Sequence, residues 1–587
     1  MDAVLGVERS VSGRRWRPRL GDARAGLALA QRLDLPEIVG RVLAARGVAA
    51  ENAEDFLNPS LRNALPDPSR LVGMDAAVAR LARAVQSGET IVIFGDYDVD
   101  GATSAALLKH YLNSIGATAR IYVPDRLSEG YGPNAPALLR LKAEGAGLVV
   151  TVDCGVSAYD PLEQAARAGL DVIVVDHHVA EPQLPRALAV VDPNRIDDDS
   201  GCGMLAAVGV GFLVVVGLNR ALRAAGWFAD RPEPDLRRWL DLVALGTVCD
   251  MVPLTGLNRA LVAQGLKVMA LRGNVGLNAL ADVAGISERP GAYHAAYILG
   301  PRVNAGGRVG KADLGARLLT TDDADEAVAL ARRLDELNTE RRAIEAEVER
   351  AARARVESET PRAIIFATGE GWHPGVVGIV ASRLVQHFHR PAFVIALADG
   401  VGRGSARTIP GVDVGAAVIA ARQAGLLING GGHPAAAGLT VAASKTQSLC
   451  DFLAERLAPA VEAQAAVRSL GVDGAIAVSA ATPELVSTLE RVGPFGVGNA
   501  EPRFAVAGSR VVRADVVGKN HVRCVFAGEG GGRLSGIAFR SLETPVGEAL
   551  LTASGAALHV AGHLRTDNWR GRERVQLLIE DVAPARL

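Results

Sequence analysis

The stretch IVIFGDYDVDG, residues 91–101, decides the fold. Residues 91–94 are a short, unbroken apolar run rich in β-branched side chains, which predicts a strand buried on both faces of a parallel sheet. Asp96, Asp98 and Asp100 follow at once. Three carboxylates this close repel one another, and a crevice at the end of a sheet does not hold them stably without cations. The competing readings of D-x-D-x-D-G are an EF-hand-like calcium loop and simple capping aspartates at βα turns. An EF-hand needs a glutamate at the twelfth loop position and helices on both sides. Counted from Asp96, that position is Leu107.

Moving outward, the placement repeats. LVVTVD ends in Asp153, VIVVDHH ends in Asp176, His177 and His178, and DLVALGTVCD delivers Asp250 after another apolar run. Helical patterns such as SAALLKHYLNSIG and YDPLEQAARAG lie between the strand-like runs, which implies βαβ units. Open α/β sheets bind ligands at the carboxyl ends of their strands, so four elements are expected to bring acid and imidazole groups to one sheet edge. Mixed Asp and His ligation without thiolates suits Mn²⁺ or Mg²⁺ better than structural zinc. Two such ions can activate a water and clamp both oxygens of an in-line phosphoryl displacement.

At 587 residues the chain is too long for one core. Hydrophobic residues make up 49% and charged residues 22%, an ordinary globular balance. With a formal net charge of -2, nucleic-acid binding has to come from local basic patches, not a global field. Cys154, Cys202, Cys249, Cys450 and Cys524 form no C-x-x-C pair, which argues against a disulfide framework and a structural zinc site. The cluster Arg14, Arg15, Arg17 and Arg19 has no apolar segment behind it, unlike a signal peptide. Residues 204–218 are too short and Gly-rich to span a bilayer and read as a buried helix. A cytoplasmic protein with no membrane partner is expected.

The fold class is α/β: two α/β domains with mainly parallel sheets joined by a long helix, plus a small C-terminal β-barrel. Residues 1–75 form a polar N-terminal segment, 76–320 the first α/β domain, 321–358 the connecting helix, 359–465 the second α/β domain and 466–587 the barrel. Residues 322–358 lack Gly and Pro and mix both charge signs, as one long helix does. The regular short strand patterns after residue 466 suggest an OB-fold.

The motifs GDYDVDG, VDCG, VDHH and GTVCDMVPL, followed by RVNAGGRVG at 302–310 and GGGHPAAAG at 430–438, agree in type, order and spacing with one family. The chain closely resembles the RecJ branch of the DHH phosphoesterase superfamily, over nearly its whole length. That resemblance implies a 5′→3′ exonuclease specific for single-stranded DNA, acting in repair and recombination, with a helicase and a single-strand-binding protein as partners. It also implies two Mn²⁺ or Mg²⁺ ions, one held by Asp96, Asp98 and Asp153, the other by Asp100, Asp153, His177 and Asp250. Asp176 would orient His177, and His178 would face the scissile phosphate. The rivals are a phosphodiesterase acting on oligoribonucleotides or other small phosphoesters, and a non-catalytic replication scaffold. A scaffold predicts lost carboxylates, and none is missing.

The basic groups follow. Arg126 lies in the loop PDRLSEGYG, and Arg302, Asn304 and Arg308 lie in PRVNAGGRVG, read as a second glycine-flanked loop. In such loops backbone approaches a phosphate closely and guanidinium binds it bidentately. The resemblance makes Arg126, Arg302 and Asn304 substrate contacts. His373, Arg383, Ser405 and Arg407 fall in Gly-punctuated turns, and NGGGHPAAAG offers the amides of Gly431 and Gly432 with His433 as an anion-binding nest. In RecJ-like enzymes this second domain takes the 5′ end, which points to Ser405, Arg407 and His433 as a terminal-phosphate pocket. In the barrel, Trp569 among Arg523, Arg565, Arg570, Arg572 and Arg574 fits either a stacking platform for single strands or a cap on the barrel core.

Overall fold

A computed structural model describes residues 2–587 apart from 126–128, 131, 359, 361, 466–467, 570–571 and 586–587, and apart from the side chains of 465, 568, 569, 572 and 573. The chain forms two units: Met1–Gly300, Ala316–Ala327 and Arg468–Leu587 make the first, Pro301–Gly315 and Val328–Val467 the second.

The apolar runs of the first unit become a five-stranded sheet, β1 (Ile91–Gly95), β2 (Ala119–Tyr122), β3 (Leu148–Val152), β4 (Asp171–Val175) and β5 (Ala189–Val191). The order is β2-β1-β3-β4-β5 and every pairing is parallel. Helix α1 (Val99–Ser114) follows β1 directly, and α2 (Ala207–Ala224) and α3 (Leu240–Cys249) pack against it. Parallel strands with helices on their faces leave one polar edge, where the strands end. The apolar segment anticipated at 204–218 is the central part of α2. By length and composition α2 could cross a membrane, but Val208, Val210, Leu213 and Val214 are buried in the core with β1, β3 and β4.

In the second unit the strands are β6 (Ile365–Glu370), β7 (Ala392–Ala398), β8 (Val401–Arg407), β9 (Asn429–His433) and β10 (Ala436–Ala442), in the order β9-β10-β8-β7-β6. Here the expectation of a mainly parallel sheet needs correction: β6 and β7 are parallel, but the other three pairings are antiparallel. Asp399 and Gly400, both at positive φ (51° and 76°), turn β7 straight back into β8. A two-residue turn of that hand allows an antiparallel partner only.

The C-terminal barrel contains β11 (Gly474–Ile476), β12 (Phe504–Val517), β13 (His521–Ala527), β14 (Arg533–Ala538), β15 (Ala557–Trp569) and β16 (Arg572–Pro584). The circuit β12-β13-β14-β16-β15 closes by pairing of β15 with β12, and β14–β16 is its one parallel contact. This is the OB-type barrel anticipated from the short strands. Phe504 lies in its core, which it shares with Val39 and Leu43 of the N-terminal segment. Trp16 is fully buried and donates to Asp581 at 2.9 Å, so the N-terminal segment is part of the same body. The expected long helix runs over Ala324–Ser358, with i,i+4 ion pairs Arg341–Glu345 and Arg353–Glu349 along it.

Candidate metal centre

At the carboxyl end of β1 the chain turns sharply into α1. Asp98 caps that helix: its Oδ1 accepts the amides of Asp100 (2.9 Å) and Gly101 (3.1 Å). The turn requires Gly101, because a Cβ there would stand 2.6 Å from the carbonyl oxygen of Asp96. Asp153 follows β3 with φ +61°, a conformation that L-residues adopt at a cost and that is found mostly where a side chain must be aimed. Asp176, His177 and His178 follow β4.

Asp250 departs from its expected position. The apolar run before it is helix α3, and Asp250 caps its C-terminus. Ten mostly apolar residues fit a buried helix as well as a strand, and periodicity does not separate them. A carboxylate at a helix C-terminus faces the negative end of the dipole, so the position is unfavourable unless a cation shares it.

These elements place His177 Nε2 at 3.3 Å from Asp153, 3.6 Å from Asp250 and 3.9 Å from Asp100. Asp96, Asp98 and Asp153 form a second cluster, with one ligand atom from each within 4.8 Å of the others. Asp96, Asp100 and Asp153 are buried. Burial, and then the neighbouring Asp98, Asp100, Asp96 and Asp250, push Asp153 well above the usual carboxylate range. Asp250 rises to about 9 through burial and the charges of Asp100 and Asp98; Asp100 rises to about 7 through burial and Asp98. A protein without cations would have to protonate this site.

The imidazoles divide the work. His177 is held at about 4 by burial and the charge of His178, so it is neutral at pH 7. Its Nδ1 lies 3.1 Å from the Leu205 carbonyl, which accepts the ring proton and leaves Nε2 a lone-pair donor. Burial opposes charge on His178, but Asp176 at 2.7 Å from its Nδ1 raises it to about 9. Burial likewise opposes charge on Asp176, yet bonds from His178 and from the amides of Val156 and His177 bring it to about 2. The expected pairing of Asp176 with the His177 ring is therefore corrected: Asp176 holds the His178 ring and only the His177 backbone.

Several supporting residues were not anticipated from the sequence. Segment Gly203–Val208 serves the site through its backbone: Leu205 takes His177, while the amides of Ala207 (2.6 Å) and Val208 (2.9 Å) hold Asp100. Asn194 bridges the carbonyls of His177 (2.6 Å) and Gly203 (3.2 Å), and Asn258 bridges those of Met204 (2.5 Å) and Pro253 (3.0 Å). The D-P-N turn at 192–194 was the available cue.

In the second unit the glycine-rich segments are regular structure. All of PRVNAGGRVG but Gly310 lies in helix α4 (Gly300–Val309) and NGGGH is strand β9, so neither is the loop or nest expected. Gly306 and Gly310 make room for Leu334 and Leu337, and a Cβ on Gly432 would meet Ala436 and Ala437 at 2.4–2.7 Å. These glycines allow close packing instead of forming a concavity. Ser405 and Arg407 are strand residues on β8. Register pairs Ser405 with Gly438 and Gly431, and Arg407 with Ala436 and His433, so all six lie on one sheet face.

Helix Val377–Phe388 starts beside Ser405 and Arg407: a Cβ on Gly378 would be 3.2 Å from Arg407 Nη2 and 3.4 Å from Ser405 Oγ. Gly431 and Gly438 face open space. Arg308 donates to the Gly375 carbonyl at 3.0 Å, and His373 Nδ1 accepts the Gly375 amide at 3.1 Å. Burial and then Arg308 hold Arg407 below its usual range. Two expected contacts are engaged elsewhere: Arg302 pairs with Asp335 at 2.9 Å and Arg383, on the helix, with Glu345 at 3.3 Å. Asn304 Oδ1 is buried without a hydrogen-bond partner. Arg126 and the Trp569 side chain lie outside the described residues. In the barrel Arg565 is bound by Glu501 through two contacts of 3.1 Å.

Family comparisons agree with this geometry. Residues 90–247 match the DHH family, N-terminal domain, residues 361–458 the DHHA1 domain and residues 472–581 the RecJ OB domain. The chain is 37% identical to the single-stranded-DNA-specific exonuclease RecJ of Dickeya dadantii over 94% of its length and 96% of that protein. Its counterpart in Escherichia coli is 36% identical with the same coverage. The structure of Thermus thermophilus RecJ in complex with Mn²⁺ superposes with a TM-score of 0.79 at 29% identity, over 97% of this chain and 79% of that one. The same enzyme has been solved with Mg²⁺, at a TM-score of 0.74. The carboxylate edge, the all-parallel sheet behind it, the OB-type barrel and this kinship agree: the chain belongs to the RecJ family of single-stranded-DNA-specific exonucleases.

Proposed function

We propose that this chain hydrolyses single-stranded DNA from its 5′ end, releasing mononucleotides, with two Mn²⁺ or Mg²⁺ ions at the carboxyl edge of the first sheet. One observation carries the reading. His177 Nε2 and Asp250 Oδ2 are buried without hydrogen-bond partners, yet Asp100, Asp153 and Asp250 stand within 3.9 Å of that nitrogen. Oxygens and a lone pair gathered around one point, two of them with no hydrogen-bond partner, fit a shared cation. Asp96, Asp98 and Asp153 would hold one ion, and Asp100, Asp153, His177 and Asp250 the other, with Asp153 common to both.

When bound, such ions supply Lewis-acid activation of water and neutralise charge on the phosphate under attack. The chain's own residues do the rest. His177 stays neutral and oriented by Leu205. His178, kept protonated by Asp176, is positioned to donate to a non-bridging phosphate oxygen. Ser405, Arg407, Arg308 and His433 would bind a terminal 5′-phosphate over the bare backbone of Gly431, in exchange for the carbonyls that Arg308 and Arg407 now hold.

The same reading assigns residues 76–320 to the phosphoesterase domain, 359–465 to end binding and 466–587 to strand binding. A helicase and a single-strand-binding protein in the cytoplasm are the partners it carries. The test is cleavage of a 5′-labelled oligonucleotide, single-stranded or in a duplex, with Mn²⁺ or with EDTA. Labelled mononucleotide released from the single strand with Mn²⁺ alone is expected. Equal digestion of 5′-blocked and 3′-blocked strands would contradict the polarity.

A further inference from the structure

Among the described residues, Tyr293, Tyr297 and Phe539 carry exposed aromatic rings, and two of them stand side by side: Tyr293, 52% exposed, and Tyr297, 65% exposed. Their ring centroids are 5.3 Å apart with planes inclined by 37°. In a chain with 4% aromatic residues, adjacent bare rings on a folded surface are unusual, since each leaves a large apolar face in water.

Their setting is specific. Tyr297 lies on one turn of π-helix, Ala295–Leu299, a wide turn that recurs at functional sites. That turn rests on the ligand-bearing helix α3, where the Cys249 thiol, next to Asp250, donates to the Ala295 carbonyl at 3.4 Å. Gly300, which ends the turn, packs on the same thiol, so close that a Cβ would stand 2.4 Å from it. On the other side Arg565 of barrel strand β15 lies over Tyr293, 5.6 Å from its centroid, with its fork held by Glu501. Within the first unit Tyr297, Tyr293 and Arg565 therefore form a row of flat groups between a turn seated on helix α3 and the barrel.

We propose that Tyr297, Tyr293 and Arg565 are a stacking platform for the bases of a single strand, joining the metal centre to the barrel. This rests on the single-strand reading above and adds the binding residues that hold the strand there. Bases present a π-face whatever their identity, and rings and guanidinium planes accept them without regard to sequence. A duplex keeps those faces stacked internally, so the platform favours unpaired strands.

The test uses the full chain and an oligo(dT) carrying 5-iodouracil, in EDTA so that nothing is cut. Irradiation should cross-link the base to Tyr293 or Tyr297, located by peptide mass spectrometry. The double variant Tyr293→Ala/Tyr297→Ala should bind the oligonucleotide at least roughly tenfold more weakly, within the roughly 5- to 150-fold range that one lost stack implies. Tyr293→Phe/Tyr297→Phe should stay within about twofold of wild type, since the rings remain. Cross-links that all fall elsewhere, with binding by the alanine variant within twofold of wild type, would overturn the platform. In parallel, wild-type cleavage of the single strand with Mn²⁺ separates the two failures: its loss overturns the function and the platform, its presence beside unaltered binding overturns the platform alone.

Discussion

At the edge of the parallel sheet, Asp96, Asp98, Asp100, Asp153 and Asp250 meet one protonated imidazole, whereas the face of the antiparallel sheet gathers Arg407, with Arg308 nearby, over the bare backbone of Gly431 and Gly438. The first site has an excess of buried negative charge and is complete only with cations. In the second, Arg308 and Arg407 donate to the main-chain carbonyls of Gly375 and Ala406.

The contrast breaks most sharply at Asp153. Asp153→Ala should cut single-strand hydrolysis by at least about a thousandfold, several kcal/mol of barrier, while the variant keeps its fold. Activity within tenfold of wild type would remove Asp153 from the shared position. His178→Ala should lower kcat by about a hundredfold or more, as loss of a positioned proton donor does. Because Asp176 raises His178 to about 9, the wild-type rate should fall above that pH. Asp176→Asn should move this alkaline limb down toward ordinary imidazole values; an unmoved limb assigns it to another group.

On the positive side, Arg407→Ala should slow digestion of 5′-phosphorylated strands by about 10- to 100-fold, the worth of one charged hydrogen bond. Strands ending in a 5′-hydroxyl should change by no more than about twofold. Equal losses on both ends would make Arg407 a general contact and not an end reader.

The smallest effect sharpens the electrostatics. Asp100 and Asp250 have folded-state values raised to about 7 and about 9 from a carboxylate's 3.8. Folding thus favours their protonated forms, so their contribution is fully present below about pH 4 and is lost as pH rises through 9. Metal-free protein should melt progressively lower across that window, by some degrees. The slope should shrink in Asp250→Asn, and Mn²⁺ should restore most stability at the alkaline end. A flat profile in EDTA would mean the carboxylates do not share a low-dielectric site.

How much of this was legible follows from how each sheet delivers its residues. In a parallel sheet the strand tips converge, so runs such as IVIF, LVVTV and VIVV followed by Asp or His could be read directly as one edge. Asp250 reaches the same cluster from a helix and not from the strand expected, because a mostly apolar run of ten is ambiguous. In the antiparallel sheet, Ser405, Arg407, Gly431 and His433 meet through register across three strands, and register is not written in local composition. Asp399-Gly400 was the cue to the hairpin, but the glycine run drew the reading toward loops. Backbone supports such as the Leu205 carbonyl carry no side-chain signature at all. The Tyr293 and Tyr297 pair was invisible because exposure, not residue type, marks it.

The most direct measurement is a titration of metal-free protein with Mn²⁺, counting bound ions by calorimetry and by the loss of the free-ion electron paramagnetic resonance signal. Two ions per chain are expected, with both affinities weakened in Asp153→Asn because that carboxylate is common to both positions. A single ion in the wild type, or two ions bound with unchanged affinity in Asp153→Asn, would contradict a shared two-ion site.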